Sequence, residues 1–182
     1  GEILAPLGTL EYSEAVEGFM EQASALIDGG VDVIWIETMS DLKEVRAAMD
    51  GVRLVSTQIP IITTMTFDTR GHTMMGVSPE DAVNSLSQGG AVAVGANCGN
   101  GPDEIIDVIS KMRRVSPNSL LVAKSNAGVP ELVDGQAVYG ASPNAMAEYT
   151  VAARAAGARL IGGCCGSTPS HVEAMAKVLV SE

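Results

Sequence analysis

The sequence predicts an α/β protein built on a parallel sheet, and three observations support that prediction. Short apolar runs rich in β-branched residues alternate with longer segments of helical periodicity along all 182 residues. Several helical segments place Pro early and follow a Ser or Thr, as helix starts do. Hydrophobic residues make up 46% of the chain and charged residues 18%, a globular balance that can bury one sizeable core.

Five strands and six helices are predicted. The strands cover residues 31–37, 59–67, 91–98, 120–126 and 159–165. The first helix has Ser13 as its expected N-cap and ends at the glycines of positions 29 and 30. The second begins at Ser40 or Asp41 and ends near residue 55. The remaining helices cover residues 79–88, 102–115, 143–156 and 169–180.

This alternation implies right-handed crossovers between parallel strands. A complete (β/α)8 barrel needs eight strands, so five do not encode a whole one. A doubly wound open sheet is the alternative, although no Gly-x-Gly-x-x-Gly motif follows a strand. No linker or low-complexity stretch interrupts the chain, which predicts one domain, or one piece of a domain, over residues 1–182.

Charge and hydropathy exclude several classes of partner. The net charge of −11 argues against nucleic acid, which requires clustered Lys and Arg, and against an anionic membrane surface. No apolar run approaches the length of a membrane span, and no signal peptide is recognisable. We therefore expect a cytoplasmic protein with small-molecule partners.

The three cysteines form an odd set in which two are adjacent, so a structural disulfide framework is not expected. In a reducing cytosol they are metal ligands, reactive thiols or buried small side chains. A vicinal-dithiol redox site remains open as well, although Cys-x-x-Cys is absent.

Polar side chains collect at the predicted strand ends, where α/β barrels place their chemistry. Cys98, Cys164 and Cys165 all lie at such ends, and three thiolates leave one position of a tetrahedral Zn²⁺ site open for a thiol substrate. Adjacent residues of a strand face opposite ways, so Cys164 and Cys165 can share a metal only where the strand becomes a turn. The surrounding glycines 162, 163 and 166 give the chain that freedom.

Three further polar residues lie at these ends. Glu37 ends an apolar strand, where it would hold a substrate ammonium, form a salt bridge or cap the next helix. Asn97 and Asn126 would bind substrate or orient ligands, or simply serve turns. His72 and His171 are expected to be solvated side chains.

Four segments resemble one known family. Residues 162–171 read GGCCGSTPSH, which resembles the GGCCGTTPxH signature of the homocysteine S-methyltransferase family. The segments at 95–98 (GANC), 36–38 (IET) and 125–130 (SNAGVP) resemble its Gly-x-Asn-Cys, Glu-Thr and Asn-Ala-Gly-x-Pro motifs, in the same order and at suitable spacing. Ser167 stands where Thr is common.

The resemblance implies a (β/α)8 TIM barrel of which residues 1–182 form a C-terminal portion, with strands four to eight. The chain is then incomplete at its N-terminus and is expected to continue upstream of Gly1. It also implies that Cys98, Cys164 and Cys165 hold Zn²⁺ while homocysteine sulfur attacks a donor methyl group, giving methionine. A non-catalytic zinc-binding fragment of such a domain is the alternative within this resemblance.

By the same resemblance Glu37, Asn126 and Asn97 are the substrate-side residues. Glu37 and Asn126 would bind the homocysteine amino group, and Asn97 would support the metal site. The segments at 64–76 and 35–39 look most like bacterial betaine–homocysteine methyltransferases, and the homocysteine modules of cobalamin-dependent methionine synthase share much of the pattern.

Betaine is therefore the favoured donor, with methyltetrahydrofolate and S-methylmethionine as alternatives. A quaternary ammonium is usually held by aromatic faces, of which this chain has few. A five-stranded sheet would also leave two edges unpaired, which favours association, so we expect pairing between chains in a homo-oligomer.

Overall fold

The computed structural model describes residues 2–180. Its elements, in chain order, are α1 (Tyr12–Asp28), β1 (Ile34–Met39), α2 (Leu42–Val55), β2 (Ile61–Met65), α3 (Pro79–Gln88), β3 (Ala93–Cys98), α4 (Pro102–Val115), β4 (Leu121–Ser125), β5 (Pro130–Val133), β6 (Gln136–Tyr139), α5 (Pro143–Ala156), β7 (Ala158–Gly163) and α6 (Pro169–Val180). All five predicted strands and six predicted helices are present. The short strands β5 and β6 were not predicted.

Five strands form one parallel sheet in the order β1-β2-β3-β4-β7. The spatial order follows the chain order with no reversal, so this sheet has no topological switch point and the doubly wound alternative is wrong. Within residues 2–180 the sheet is open, with β1 and β7 at its edges.

The two faces of the sheet differ. One face packs against the helices and forms the main core, which includes Ile36, Met65, Val94 and Leu121. The opposite face, called here the inner face, carries a small apolar cluster of Ile62, Ala93 and Val122. Successive residues of a strand alternate between the faces, so Asn97 and Lys124 fall on the inner side. No helix within residues 2–180 combines the length and the apolar character that crossing a bilayer requires.

Several strand ends differ from the predicted ones by one to three residues, and two of the shifted boundaries have a clear physical cause. The N-cap of α1 is Glu11, which forms a capping box with Glu14, so Ser13 lies inside the helix. The cap is therefore two residues earlier than the Ser13 that was expected. The first strand begins at Ile34, because pairing with Ile61 starts there, and the apolar residues before it remain outside the ladder.

The antiparallel hairpin β5–β6 lies between β4 and α5. Its turn places Asp134 at φ 51° and Gly135 at φ 79°, the left-handed pair of a two-residue hairpin turn. Asp-Gly between apolar residues is a recognised hairpin signal. The sequence therefore contained the evidence for this element.

Candidate metal centre

The three cysteines meet at the carboxyl end of the sheet. Cys98 is the last residue of β3, and Cys164 and Cys165 directly follow β7. Because β4 lies between those two strands, the thiols converge over its end. Their three sulfur atoms lie within 4.8 Å of one another, and the Sγ atoms of Cys98 and Cys165 are 3.7 Å apart. The predicted convergence is thus present.

The backbone explains how two adjacent cysteines reach one site. The amide of Cys164 donates to the Ser125 carbonyl oxygen at 2.7 Å, continuing the pairing with β4. The Cys165 carbonyl oxygen accepts from the Ala127 amide at 2.9 Å, and Gly166 then adopts φ 76°. The strand direction is lost over these three residues, as the glycines suggested.

Asn126 joins the two cysteine-bearing loops. Its side-chain oxygen accepts a hydrogen bond from the Cys165 amide at 3.1 Å, and its side-chain nitrogen donates to the Gly99 carbonyl oxygen at 2.9 Å. The residue is 2% exposed. Asn126 therefore fixes the separation between the Cys98 loop and the Cys164–Cys165 loop.

Asn97 is fully buried and forms a second bridge, from β1 to Cys164. Its side-chain oxygen accepts from the Thr38 amide at 2.9 Å, and its nitrogen donates to the Thr38 hydroxyl at 2.7 Å. The same nitrogen lies 3.8 Å from the Cys164 sulfur. Sequence reasoning missed Thr38, because its contact depends on a bulge in β1.

Glu37 lies in that bulge and forms an ion pair with Lys124 of β4. The Lys124 ammonium also stands 4.8 Å from the centre of the Trp35 ring. The salt bridge considered as one alternative for Glu37 is therefore present. The Glu37 side chain keeps 46% of its surface exposed, so its carboxylate remains accessible.

Two ring side chains, Tyr139 and His171, pack against the segment that follows β7. Tyr139 of the β5–β6 hairpin packs its Cβ and Cγ against Gly166, where a Cβ on that glycine would collide with them. Burial of the Tyr139 hydroxyl raises its pKa, and a hydrogen bond with the Cys165 thiol adds to this rise. His171 was expected to be solvated, which is wrong, since it is 8% exposed. Its Nδ1 lies 3.0 Å from the Thr168 amide and its Nε2 lies 2.9 Å from the Ala141 carbonyl oxygen, contacts that draw it under the loop.

The cluster fits a thiolate-bound cation. Tetrahedral Zn–S bonds of about 2.3 Å place two ligand sulfurs about 3.8 Å apart, close to the Cys98–Cys165 separation. Burial, with the neighbouring Cys164 thiol, raises the pKa of Cys98 to about 11. A cation beside the Cys98 sulfur would favour its thiolate form. The Asn97 N–H aimed at Cys164 would stabilise a ligating thiolate.

The fold and the site together define a class: a parallel α/β protein with a thiol cluster of metal-binding geometry at the carboxyl edge of its sheet. The chain belongs to the homocysteine S-methyltransferase family, whose model, described as homocysteine S-methyltransferase, matches residues 1–179. The family resemblance read from the sequence motifs is thereby confirmed.

Similar proteins include two methionine synthases. That of Mycobacterium tuberculosis is 32% identical over 186 residues, covering 100% of this chain and 16% of the relative. That of Mycobacterium leprae is 34% identical over 184 residues, covering 97% of this chain and 15% of the relative. The chain thus spans about a sixth of the length of these relatives.

The fold resembles that of the homocysteine methyltransferase MmuM from Escherichia coli. Its apo form superposes with a TM-score of 0.76 at 23% identity, covering 98% of this chain and 62% of MmuM. Its metallated form gives a TM-score of 0.70 at 26% identity, covering 88% of this chain and 51% of MmuM.

Proposed function

We propose that this domain transfers a methyl group to the thiol of homocysteine, giving methionine, with Zn²⁺ held by Cys98, Cys164 and Cys165. The convergence of three thiols within 4.8 Å is the observation that supports this proposal most directly. Membership of the homocysteine S-methyltransferase family supplies the substrate class. Reduced thiols at the site suit a cytoplasmic enzyme.

The cysteines would fill three positions and leave a fourth for the substrate. Bound Zn²⁺ would lower the pKa of the substrate thiol, so that it is present as a thiolate at neutral pH. Cys165 is exposed, whereas Cys98 and Cys164 are half-buried, so substrate would approach from the Cys165 side. In the reaction the homocysteine sulfur forms a bond to the methyl carbon while the carbon–donor bond breaks, and the donor keeps that electron pair.

Glu37 would bind the homocysteine ammonium. Its accessible carboxylate is next to Thr38, which Asn97 connects to Cys164. An ammonium at Glu37 would compete with Lys124 for the same carboxylate. Asn126 has a second lone pair on its side-chain oxygen and can share that oxygen with the substrate ammonium. Asn97, already committed to Thr38 and Cys164, would support the metal site.

Betaine is the donor we favour, on the sequence pattern of residues 64–76 and 35–39. Trp35, 36% exposed on the inner face, is an aromatic surface that a quaternary ammonium could use. Lys124 already lies against that ring, which limits its use as a cage. Methyltetrahydrofolate and S-methylmethionine are the other donors to assay.

We also propose that the five parallel strands are strands four to eight of a (β/α)8 barrel. Their sequential order and the TM-score of 0.76 over 62% of MmuM support this assignment. The remaining strands of such a barrel would pair with the free edges of β1 and β7. Association between copies of this chain would be a second way to cover those edges.

The first experiment is to measure zinc per chain on protein purified under reducing conditions, together with a thiol titration. About one zinc per chain with three protected thiols is the expected result. Cys165→Ala should abolish tight binding, and stoichiometric zinc in that variant would exclude the proposed ligand set. Methyl transfer to homocysteine is then assayed with each donor.

Two other outcomes would favour the alternatives. Stoichiometric zinc without methyl transfer from any donor would favour a non-catalytic zinc-binding segment. Freely titrating thiols and no zinc would favour the redox alternative, in which the adjacent Cys164 and Cys165 form the reactive pair.

A further inference from the structure

The turn that presents Cys98 has an unusual backbone. Cys98 has φ 66° and the following Gly99 has φ 67°, so two consecutive residues are left-handed. Glycine adopts this conformation freely, whereas a residue with a side chain does so only when its surroundings enforce it. The left-handed conformation of Cys98 therefore requires contacts that hold the turn, and these are made by the peptide group that follows Gly99.

The peptide group between Gly99 and Asn100 is fixed at both ends. Its carbonyl oxygen accepts from the Asn126 side chain at 2.9 Å, and its N–H donates to the Glu104 carboxylate at 2.8 Å. A peptide group is planar, so holding both its oxygen and its nitrogen sets its orientation. The orientation of that plane determines the direction from which the chain leaves Cys98.

Glu104 makes further contacts that secure it in this position. Its second carboxylate oxygen accepts from the Asn100 side chain at 3.1 Å, and the same side-chain nitrogen donates to the Asp68 carbonyl oxygen at 3.0 Å. A Cβ at Gly99 would lie 2.7 Å from the Glu104 carboxylate, so the close approach requires glycine there. The carboxylate thus links α4, the Cys98 turn and the loop that follows β2.

We infer that Glu104 is a positioning residue of the metal centre, which holds the Gly99–Asn100 peptide so that the Cys98 sulfur faces Cys164 and Cys165. This inference rests on the proposed zinc site. A hydrogen-bonded line runs from the Cys165 amide through Asn126 and the Gly99–Asn100 peptide to Glu104. Both ligand-bearing loops are therefore held by one connected network.

Removing the carboxylate should loosen the Cys98 turn. Without an acceptor for the Asn100 amide, Cys98 can relax from its left-handed conformation, and its sulfur would move away from the other two. Residues that orient metal ligands from outside the coordination shell contribute roughly 10- to 100-fold to metal affinity. For Glu104→Ala we expect zinc affinity to fall by about tenfold or more.

The test compares zinc affinity, measured by chelator competition, in the unmodified protein, Glu104→Ala, Glu104→Gln and Asp103→Ala. Asp103 is the matched control, because it is an exposed acidic residue in the same first turn of α4. Glu104→Gln keeps the shape and one acceptor oxygen, so its loss should be smaller than that of Glu104→Ala. Asp103→Ala should bind zinc as the unmodified protein does.

A second readout separates positioning from general destabilisation. Cobalt replaces zinc in thiolate sites, and its absorption spectrum reports the ligand geometry. We expect the Glu104 variants to change the sulfur-to-cobalt bands at saturating cobalt while urea unfolding of the metal-free proteins changes little. If Glu104→Ala does not fold, Glu104→Gln carries both measurements.

Energetic coupling between Asn126 and Glu104 gives a further test of this hydrogen-bonded network. Because Asn126 and Glu104 hold opposite ends of one peptide, Asn126→Ala and Glu104→Gln should be non-additive in zinc affinity. Unchanged affinity and an unchanged cobalt spectrum in both Glu104 variants would overturn the inference while leaving the zinc site intact. Absence of zinc from the unmodified protein would instead overturn the proposed function together with this inference.

Discussion

Asn97 and Thr38 share two hydrogen bonds, although strand β2 lies between the strands that carry them. Thr38 is left-handed, at φ 64°, and its amide and hydroxyl both turn toward the Asn97 side chain. The bulge that produces this conformation also contains Glu37. Asn97 thus stabilises the backbone next to the proposed ammonium-binding residue while its nitrogen approaches Cys164.

Asn97→Ala should destabilise the fold. It removes three contacts of a fully buried side chain and leaves the Thr38 amide without its acceptor, so we expect a loss of about 2–3 kcal/mol in the free energy of unfolding. Urea denaturation measures this loss. Asn84→Ala, at an exposed helical position, is the control and should change stability by less than about 0.5 kcal/mol. Equal losses in both variants would show that the Asn97 bridge contributes nothing.

Much of the fold is predictable from the sequence because the signals are local. Apolar runs of β-branched residues and helical periodicity placed all five sheet strands and six helices. The boundaries of the strands were predicted less accurately than their existence. Pairing with β2, rather than local composition, decides where β1 begins. The hairpin β5–β6 was not predicted although Asp134-Gly135 is its turn signal, because it interrupts the regular alternation of strands and helices.

The site was predictable only in part, for a physical reason. Three cysteines at strand ends follow from parallel topology, because every carboxyl end meets one edge of the sheet. The Glu37–Lys124 ion pair joins residues 87 apart and reaches across two intervening strands, which no local pattern encodes. The same holds for Glu104, whose role depends on where the Cys98 turn places one amide.

Glu37→Gln should weaken homocysteine binding through the ammonium alone. Losing a hydrogen bond to a charged group is worth about 1.5–3 kcal/mol, so the Kd for homocysteine should rise by about tenfold or more. 4-Mercaptobutanoate, which is homocysteine without its amine, should bind the variant and the unmodified protein equally. Isothermal titration of zinc-loaded protein measures both ligands. A similar loss for both thiols would mean that Glu37 does not contact the ammonium.

Lys124→Met tests the competition for the same carboxylate. The ion pair is partly exposed, so its removal should change the free energy of unfolding by no more than about 1 kcal/mol. Homocysteine should bind more tightly, because its ammonium no longer displaces Lys124. Isothermal titration with homocysteine should give a lower Kd for Lys124→Met than for the unmodified protein, and a higher one for Glu37→Gln. Weaker homocysteine binding would show that Lys124 itself assists the substrate.

The contact between α1 and α2 should give a stability change at high pH. Burial, together with the hydrogen bond from the Tyr12 hydroxyl to Asp50 at 2.6 Å, raises the pKa of Tyr12 to about 12. Because the folded pKa lies above the unfolded value near 10, this contribution is fully present below about pH 10 and is lost as pH rises toward 12. Solvent reduces the effect, since Tyr12 is only partly buried.

Urea unfolding of the unmodified protein and of Tyr12→Phe, measured from pH 8 to pH 11.5, isolates that contribution. The difference in unfolding free energy between the two should shrink steadily above about pH 10, because other titrating groups are common to both. Asp50→Asn, which keeps an acceptor but removes the charge, should show a shallower dependence than the unmodified protein. A constant difference across the range would exclude Tyr12 as the source.

Gly166→Ala should be more harmful than the same change at another left-handed glycine. Gly166 and Gly30 have φ of 76° and 85°, so alanine is strained at both by about 1–2 kcal/mol. A Cβ at Gly166 would lie 2.3 Å from the Cβ and Cγ of Tyr139, whereas one at Gly30 meets no atom within 4 Å. The extra loss of unfolding free energy at Gly166 therefore measures how firmly the hairpin is seated on the cysteine loop.

Urea denaturation of Gly166→Ala, Gly30→Ala, Tyr139→Ala and the double variant Gly166→Ala/Tyr139→Ala makes the comparison. Removing the Tyr139 ring should relieve the collision at Cγ, so adding Tyr139→Ala should destabilise the Gly166→Ala background less than the unmodified protein. If Gly166→Ala and Gly30→Ala lose the same free energy, the hairpin yields to the new methyl group. Tyr139 would then be able to move away from the cysteine loop, and its position beside Cys165 would not be fixed by packing against Gly166.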